Sequence, residues 1–172
     1  QAVIRQNEIY KFFGGRAQEI EKRTKVKARV VAHALENLIK ESSKVMVMGH
    51  ANPDIDVMGS SIGIYRLAKS LEKNAYIITN NTLTLQNFRE SLLEEPEYED
   101  VLINKEVAEE NIDEDTLLVV VDTHKTNYVE SQDVLKKAKK IVIIDHHRRS
   151  ADYIENATLT FQEVYASSAA EL

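Results

Sequence analysis

Three short segments of the sequence contain side chains that can bind metal ions. They are GHANPDID (residues 49–56), VVVDTH (residues 119–124) and IDHH (residues 144–147). Each supplies both imidazole and carboxylate groups, which are ligands for divalent cations. The candidate ligands are His50, Asp54, Asp56, Asp122, His124, Asp145, His146 and His147. Metal chemistry requires that the fold bring the three segments together.

Each segment also has a structural alternative. Asn52-Pro53-Asp54 is typical of a surface turn, because Asx side chains bond to nearby backbone and proline presets φ. Asp122 taken alone could be the N-cap of a following helix. Asp145 directly follows an apolar run and could orient the loop or a neighbouring histidine without touching a metal. A shared position of all three segments would favour a metal site over three unrelated turns.

Short apolar runs alternate with helical patterns along the chain. The runs KVMVM, TLLVVV and KIVII are bounded by polar residues, which is typical of buried strands. The patterns predict strands at residues 44–48, 75–79, 100–104, 116–121, 140–144 and 157–166. They predict helices at residues 17–41, 57–72, 82–95, 105–111 and 129–140.

This order of elements predicts an α/β fold of Rossmann-like character. Strands that alternate with helices form a mainly parallel sheet, here of about five to six strands, with helices on both faces. In such a sheet, sites form in the loops beyond the carboxyl ends of the strands. Each candidate segment follows a predicted strand, so we expect all three at the same edge of the sheet.

The ligand types indicate the metal and the reaction. Imidazole and carboxylate without thiolate suit Mn²⁺, Mg²⁺, Fe²⁺ or Co²⁺ better than structural zinc. These candidates are too many for one ion that keeps positions open for water and substrate. They suit two ions roughly 3.5–4 Å apart. Such a pair activates water and clamps a phosphoryl group, so hydrolysis of a phosphoester or phosphoanhydride is the expected chemistry.

The composition argues against several other classes of protein. The chain has no cysteine, which excludes disulfides, thiolate zinc sites and cysteine nucleophiles. Its formal net charge is −6, which argues against a long nucleic acid or an anionic membrane surface as partner. The sequence contains neither an apolar stretch long enough to predict a membrane span nor a visible signal peptide.

The three motifs, in this order and spacing, resemble those of the DHH phosphoesterase superfamily. That superfamily includes RecJ-type nucleases, family II inorganic pyrophosphatases, oligoribonuclease-type enzymes and cyclic-dinucleotide phosphodiesterases. The resemblance covers residues 42–166. The upstream stretch, YKFFGGR followed by EIEKRTKVKARVVAHAL, is similar to the junction before the DHH domain in GdpP-type cyclic-di-AMP phosphodiesterases. This junction favours the cyclic-dinucleotide branch.

The resemblance implies two divalent ions, most often manganese, and assigns their ligands. His50 and Asp54 hold one ion, Asp56 and His146 hold the other, and Asp122 bridges both. Five side chains therefore form one two-metal site.

The resemblance also implies roles for the rest of the DHH triplet. His147 contacts the phosphate and stabilises the transition state or protonates the leaving oxygen, and Asp145 supports the triplet without binding metal. The implied reaction is the hydrolysis of cyclic-di-AMP to linear pApA.

The same resemblance divides the chain into parts. Residues 1–16 are expected to be the remnant of a degenerate GGDEF-like domain, residues 17–41 a linker helix, and residues 42–172 a DHH domain cut before a DHHA1 domain. The parent protein is expected to be anchored in the bacterial cell membrane, with this domain in the cytoplasm and membrane contact only through other parts. A homodimer is compatible with this expectation.

One element of the family's second metal site has no match in this sequence. The family adds a further aspartate downstream of the DHH motif, whereas the acidic residues here stand in other contexts. They are Asp152, Glu155, Glu163 and Glu171. We therefore expect a weakly bound second ion and little or no activity from these 172 residues. A pyrophosphatase, a single-strand nuclease and a non-catalytic nucleotide-sensing domain stay open as alternatives.

Overall fold

The computed structural model describes residues 2–6, 9–13, 17–80, 90–92, 94–98 and 100–172. The chain forms two compact units, Gln1–His33 and Ala34–Leu172. In the first unit, strands β1 (Ala2–Gln6) and β2 (Ile9–Phe13) pair in antiparallel fashion. Helix α1 (Ala17–Lys40) begins in this unit, close to the predicted bounds of 17–41.

The second unit contains a six-stranded sheet in which every neighbouring pair is parallel. Its strands are β3 (Lys44–Met48), β4 (Asn74–Ile78), β5 (Leu102–Ile103), β6 (Thr116–Val121), β7 (Lys140–Asp145) and β8 (Leu159–Gln162). Their spatial order is β5-β4-β3-β6-β7-β8. The helices are α2 (Ile55–Ser70), α3 (Lys105–Asn111) and α4 (Gln132–Lys137). The predicted α/β fold is confirmed.

Alternate residues of the central strands face two separate apolar cores. Val45 and Leu117 pack on the face covered by α2 and the end of α1, where Ile39 is fully buried. Met46 and Leu118 pack on the opposite face with residues of α3 and α4. Because successive side chains of a strand point to opposite faces, uninterrupted apolar strands are those covered on both sides.

Several predicted bounds differ from the structure. Residues 129–140 were expected to form one helix, but α4 begins only after its N-cap Ser131. Val129 cannot be helical because it forms a β-bridge with His50. The strands predicted at 100–104 and 157–166 shorten to β5 and β8.

Two other predicted helices also differ from the structure or lie mostly outside the described residues. Helix α2 begins at Ile55 rather than at 57, because the Asp54 side chain caps it. Most of the helix predicted at 82–95 lies outside the described residues, of which 90–92 are helical. Within the described part of the chain, no helix is long and apolar enough to cross a membrane.

Candidate metal centre

The three candidate segments meet in one cleft at the carboxyl edge of the sheet, as the sequence predicts. They follow β3, β6 and β7, which are adjacent in the sheet. The cleft has a volume of about 610 Å³. All eight candidate residues named from the sequence line it.

The backbone around His50 is held by the segment that precedes α4. Ala51 N–H donates to the Tyr128 carbonyl at 2.8 Å, and Glu130 N–H donates to the Gly49 carbonyl at 2.9 Å. The Tyr128 ring stacks on the imidazole, with 5.1 Å between centroids and 15° between planes. These contacts bury His50 and fix the plane of its ring.

Asp54 caps a helix with one carboxylate oxygen and faces the cleft with the other. Its Oδ1 accepts hydrogen bonds from the backbone N–H groups of Asp56 and Val57 at 2.9 and 3.1 Å, and so caps α2. Its Oδ2 lies 3.8 Å from His50 Nε2. Since one oxygen caps the helix, the other is available in the cleft.

The fold holds Asp122 in a strained backbone conformation and buries its carboxylate. Its φ is 57°, a left-handed conformation that costs energy for a residue with a side chain. It is 3% exposed, and its buried Oδ1 has no hydrogen-bond partner in the described structure. A buried carboxylate oxygen without a partner is costly unless a cation or another ligand meets it. The end of β6 therefore presents a carboxylate suited to bind a metal.

The two oxygens of Asp122 face two different groups of side chains. Oδ2 lies 3.5 Å from His50 Nε2, in a cluster of His50, Asp54 and Asp122. Oδ1 lies 3.2 Å from His146 Nε2, which is also 3.5 Å from Asp56 Oδ2. This arrangement can hold two cations with Asp122 between them.

The imidazole of His146 has one nitrogen available for a metal. Its Nδ1 lies 3.3 Å from the Ala166 carbonyl oxygen, which can only accept a hydrogen bond. A proton on Nδ1 fits that contact, and Nε2, which lies 3.2 Å from Asp122 Oδ1, is then the nitrogen that could meet a metal. A carbonyl partner of this kind is what a metal-binding histidine commonly has.

Asp56 is held by a segment that sequence analysis did not connect with the site. Ala169 N–H donates to its Oδ2 at 2.8 Å and Ala170 N–H to its Oδ1 at 2.9 Å. The Ser60 hydroxyl lies 3.2 Å from Oδ1. These donors orient the carboxylate and leave Oδ2 a lone pair toward His146. The sequence carries no local signal for a contact between residues so far apart.

His147 lies beside the metal cluster but is bonded elsewhere. Its Nδ1 is 3.5 Å from Asp122 Oδ1 and 2.8 Å from Asp145 Oδ1. Because a carboxylate accepts, the short contact places the proton on Nδ1, which then cannot bind a metal. By distance, Asp122, His146 and His147 form a possible ligand group, and only the proton on His147 Nδ1 favours Asp56, 3.5 Å from His146, in its place.

His124 was a candidate ligand on sequence grounds, and the structure contradicts this. Its ring is buried, and Nδ1 forms a short hydrogen bond with Asp145 Oδ2 rather than facing the metal cluster. Asp145 is completely buried and contacts both His124 and His147, which agrees with a supporting role.

The electrostatics of the cleft favour bound cations. Asp54, Asp56, Asp122 and Asp145 line it, whereas Lys125 is the sole Lys or Arg among its described lining residues. A hydrogen bond that the imidazole donates to Asp122 is the main cause that raises the pKa of His50, against the lowering effect of burial. The raised pKa of His50 therefore reflects the excess negative charge of the cleft. Divalent ions bound there would offset that charge.

Two of the downstream acidic residues make hydrogen bonds within loops. Asp152 accepts from the backbone N–H groups of Thr126 and Asn127 at 3.2 and 3.3 Å. Glu171 accepts from the backbone N–H and the hydroxyl of Ser167, each at 2.8 Å. Hydrogen bonds from the protein therefore provide partners for both carboxylates without a metal.

The fold and the site define an α/β protein with a cluster of carboxylates and imidazoles at the carboxyl edge of its sheet that could hold metal ions. The family model described as DHH family, N-terminal domain, matches residues 44–172. The chain belongs to the DHH family, as its motifs predict.

Similar proteins include two curated bacterial enzymes. The sequence is 44% identical over 176 residues to cyclic-di-AMP phosphodiesterase PdeA of Listeria monocytogenes. It is 43% identical over 176 residues to cyclic-di-AMP phosphodiesterase GdpP of Geobacillus thermodenitrificans. Each match covers 100% of this chain and 27% of the relative. The chain thus spans about a quarter of the length of these relatives.

A solved structure supports the fold. The crystal structure of an exopolyphosphatase-related protein from Bacteroides fragilis matches with a TM-score of 0.65 and 24% sequence identity. The match covers 83% of this chain and 42% of that chain. At this identity the likeness concerns the fold.

Proposed function

We propose that this domain is the metal-binding part of a phosphodiesterase that hydrolyses cyclic-di-AMP to linear pApA. The observation that carries the proposal is the position of Asp122, whose two oxygens face His50 and His146 at 3.5 and 3.2 Å. The names of the Listeria and Geobacillus relatives support the choice of substrate.

The residues present fit two divalent cations. The unpartnered, buried Oδ1 of Asp122 and the excess of carboxylates in the cleft are the observations that support this fit. His50, Asp54 and Asp122 would hold one ion, and Asp56, Asp122 and His146 the other. Nitrogen and carboxylate ligands without sulfur suit Mn²⁺. Bound ions would lower the pKa of a water and offset charge on the phosphoryl group.

The chain's own residues then position the substrate and the protons. His147 is half exposed to the cleft and donates Nδ1–H to Asp145, so its Nε2 is free to meet a phosphoryl or leaving oxygen. When Nε2 also carries a proton, the ring would stabilise the transition state or protonate the leaving oxygen there. Lys125 also lines the cleft and can contact a phosphate. The net charge of −6 disfavours a long nucleic acid as the substrate.

The remaining proposals concern the longer protein. Residues 1–16 are the remnant of a preceding GGDEF-like domain, residues 17–41 a linker helix, and residues 42–172 the DHH domain. The parent protein is anchored in the bacterial membrane with this domain in the cytoplasm, an arrangement that is compatible with a homodimer. The share of 27% that this chain covers in its relatives leaves room for these other parts.

The test compares the 172-residue chain with a fusion to the segment that follows the matching region in the Listeria relative. Mn²⁺ binding is measured by calorimetry, and hydrolysis is measured with cyclic-di-AMP, pyrophosphate and a short oligonucleotide. We expect a weaker second ion and negligible turnover in the 172-residue chain. In the fusion we expect two ions and cleavage of cyclic-di-AMP to pApA.

A matched control is the same fusion with Asp122→Asn, which keeps the shape of the side chain but removes its charge. If the fusion preferred pyrophosphate or the oligonucleotide, that compound and not cyclic-di-AMP would be the substrate. Nucleotide binding by the fusion without metal uptake or turnover would indicate a sensing domain instead.

A further inference from the structure

His124 is connected to the candidate catalytic residue through one buried carboxylate. His124 is 3% exposed and Asp145 is fully buried, so their hydrogen bond is shielded from water. On the other side of the same carboxylate, Asp145 Oδ1 accepts from the backbone N–H and from Nδ1 of His147, at 3.1 and 2.8 Å. One carboxylate therefore contacts two imidazoles through different oxygens.

The tautomer of His124 follows from its second nitrogen. The backbone N–H of Ser150 donates to His124 Nε2 at 3.0 Å, and an amide N–H cannot accept. Nε2 is therefore unprotonated, and the proton resides on Nδ1, which donates to Asp145 Oδ2. The Ser150 hydroxyl, 3.1 Å from the same Nε2, donates to the Asp152 carbonyl. Gln162 Nε2 lies 3.4 Å from Nδ1, and since both atoms carry hydrogens this is a contact only.

Three hydrogen bonds hold Asp145, one from His124 on Oδ2 and two from His147 on Oδ1. The orientation of the carboxylate is thus set on one oxygen by His124. This leaves Oδ1 aligned with His147 Nδ1. Removal of the donor on Oδ2 would leave a buried oxygen without a partner, and the carboxylate would rotate to find another.

We propose that His124 is a positioning residue for His147. Through Asp145 it holds the ring of His147 in the Nδ1–H tautomer, so that Nε2 faces the cleft. The task of Nε2 rests on the proposed function, but the tautomer itself is a property of the metal-free chain. His124 thus contributes to the reaction without contacting substrate or metal.

The experiment uses the ¹⁵N-labelled 172-residue chain without metal, at a pH where the imidazoles are neutral. Long-range ¹H–¹⁵N spectra distinguish the two tautomers of each ring. We expect Nδ1–H for both His124 and His147. His124→Leu removes the donor, and we expect His147 to shift to a mixture of tautomers. His124→Asn places an amide N–H₂ near the position of Nδ1, and we expect it to preserve the tautomer of His147.

The matched variants also separate positioning from other roles. In the fusion described above, His124→Leu is expected to lower kcat by about 10–100-fold with KM and Mn²⁺ affinity unchanged, and His124→Asn to restore most of it. An unchanged tautomer of His147 in a folded His124→Leu chain would overturn the proposal, as would loss of a bound Mn²⁺. If His124→Leu does not fold, the folded His124→Asn chain carries the test, and a mixture of His147 tautomers in that variant overturns the proposal. A wild-type chain that binds no metal contradicts the proposed function but not the tautomer.

Discussion

Ala169 donates its backbone N–H to the Oδ2 atom of Asp56 at 2.8 Å, although the two residues are 113 positions apart. The bond joins the start of α2 to the short 3₁₀ helix Ala169–Glu171. It makes the orientation of a candidate ligand depend on a distant segment.

Ala169→Pro is expected to weaken Mn²⁺ binding at the site that includes Asp56 by about 10–100-fold, because proline has no N–H and one of the donors that orient the carboxylate is lost. Ser168 has φ −154° and ψ 159°, which is compatible with a following proline. Calorimetric titration measures the effect, with Ala169→Ser as the control that keeps the N–H. Tighter binding in the proline variant would show that the amide competes with the metal.

Asp122→Ala is expected to abolish two-metal binding more completely than Asp56→Ala. The first change removes a ligand from both ions, since the two oxygens of Asp122 face His50 and His146. The second change affects one ion. Titration with Mn²⁺ gives the residual stoichiometry of each variant, and equal values in the two would contradict the bridging position.

His147→Ala is expected to leave Mn²⁺ content nearly unchanged and to lower kcat of the fusion by roughly 10²–10⁴-fold. The reason is that its Nδ1 is bonded to Asp145, so the ring acts on substrate rather than on metal. Metal analysis and steady-state kinetics on the same sample test both parts. Loss of Mn²⁺ from the His147→Ala variant would show that His147 is a metal ligand.

Gly49→Ala is expected to destabilise the fold by about 1–3 kcal/mol, because overpacking forces neighbours to move. A Cβ at Gly49 would lie 2.3 Å from Cγ1 of Val57, which is itself buried. Urea unfolding measures the change. In Gly49→Ala/Val57→Ala the contacts to both Cγ atoms are removed and one of 3.1 Å to Cβ stays, so Gly49→Ala should cost less in the Val57→Ala background than in the wild type.

Asp113 should contribute a pH-dependent part of the stability. Hydrogen bonds from Thr116 and then Lys44 lower its pKa from 3.8 to about 2. Between these values the unfolded chain binds the proton more readily, so the contribution is present above about pH 4 and is lost as pH falls through about 2. Urea midpoints across this range should fall less steeply in Asp113→Asn than in the wild type. Parallel curves would contradict this prediction.

The sequence by itself determined the strands, the parallel α/β fold and the meeting of three polar segments at one edge of the sheet. Apolar strands are local patterns, and the carboxyl ends of parallel strands share an edge by geometry. Asp54 could be placed at the site for the same reason, since it follows β3 within one short loop.

Only the tertiary structure decided which atoms face each other. His124 has the residue type and position of a metal ligand, but packing turns its ring to Asp145. Val129 belongs to a helical pattern, but its bridge to His50 delays the start of α4. The amides that hold Asp56 come from Ala169 and Ala170, whose side chains carry no signal of the contact. Hydrogen-bond partners depend on the relative position of distant segments, and local periodicity does not contain that information.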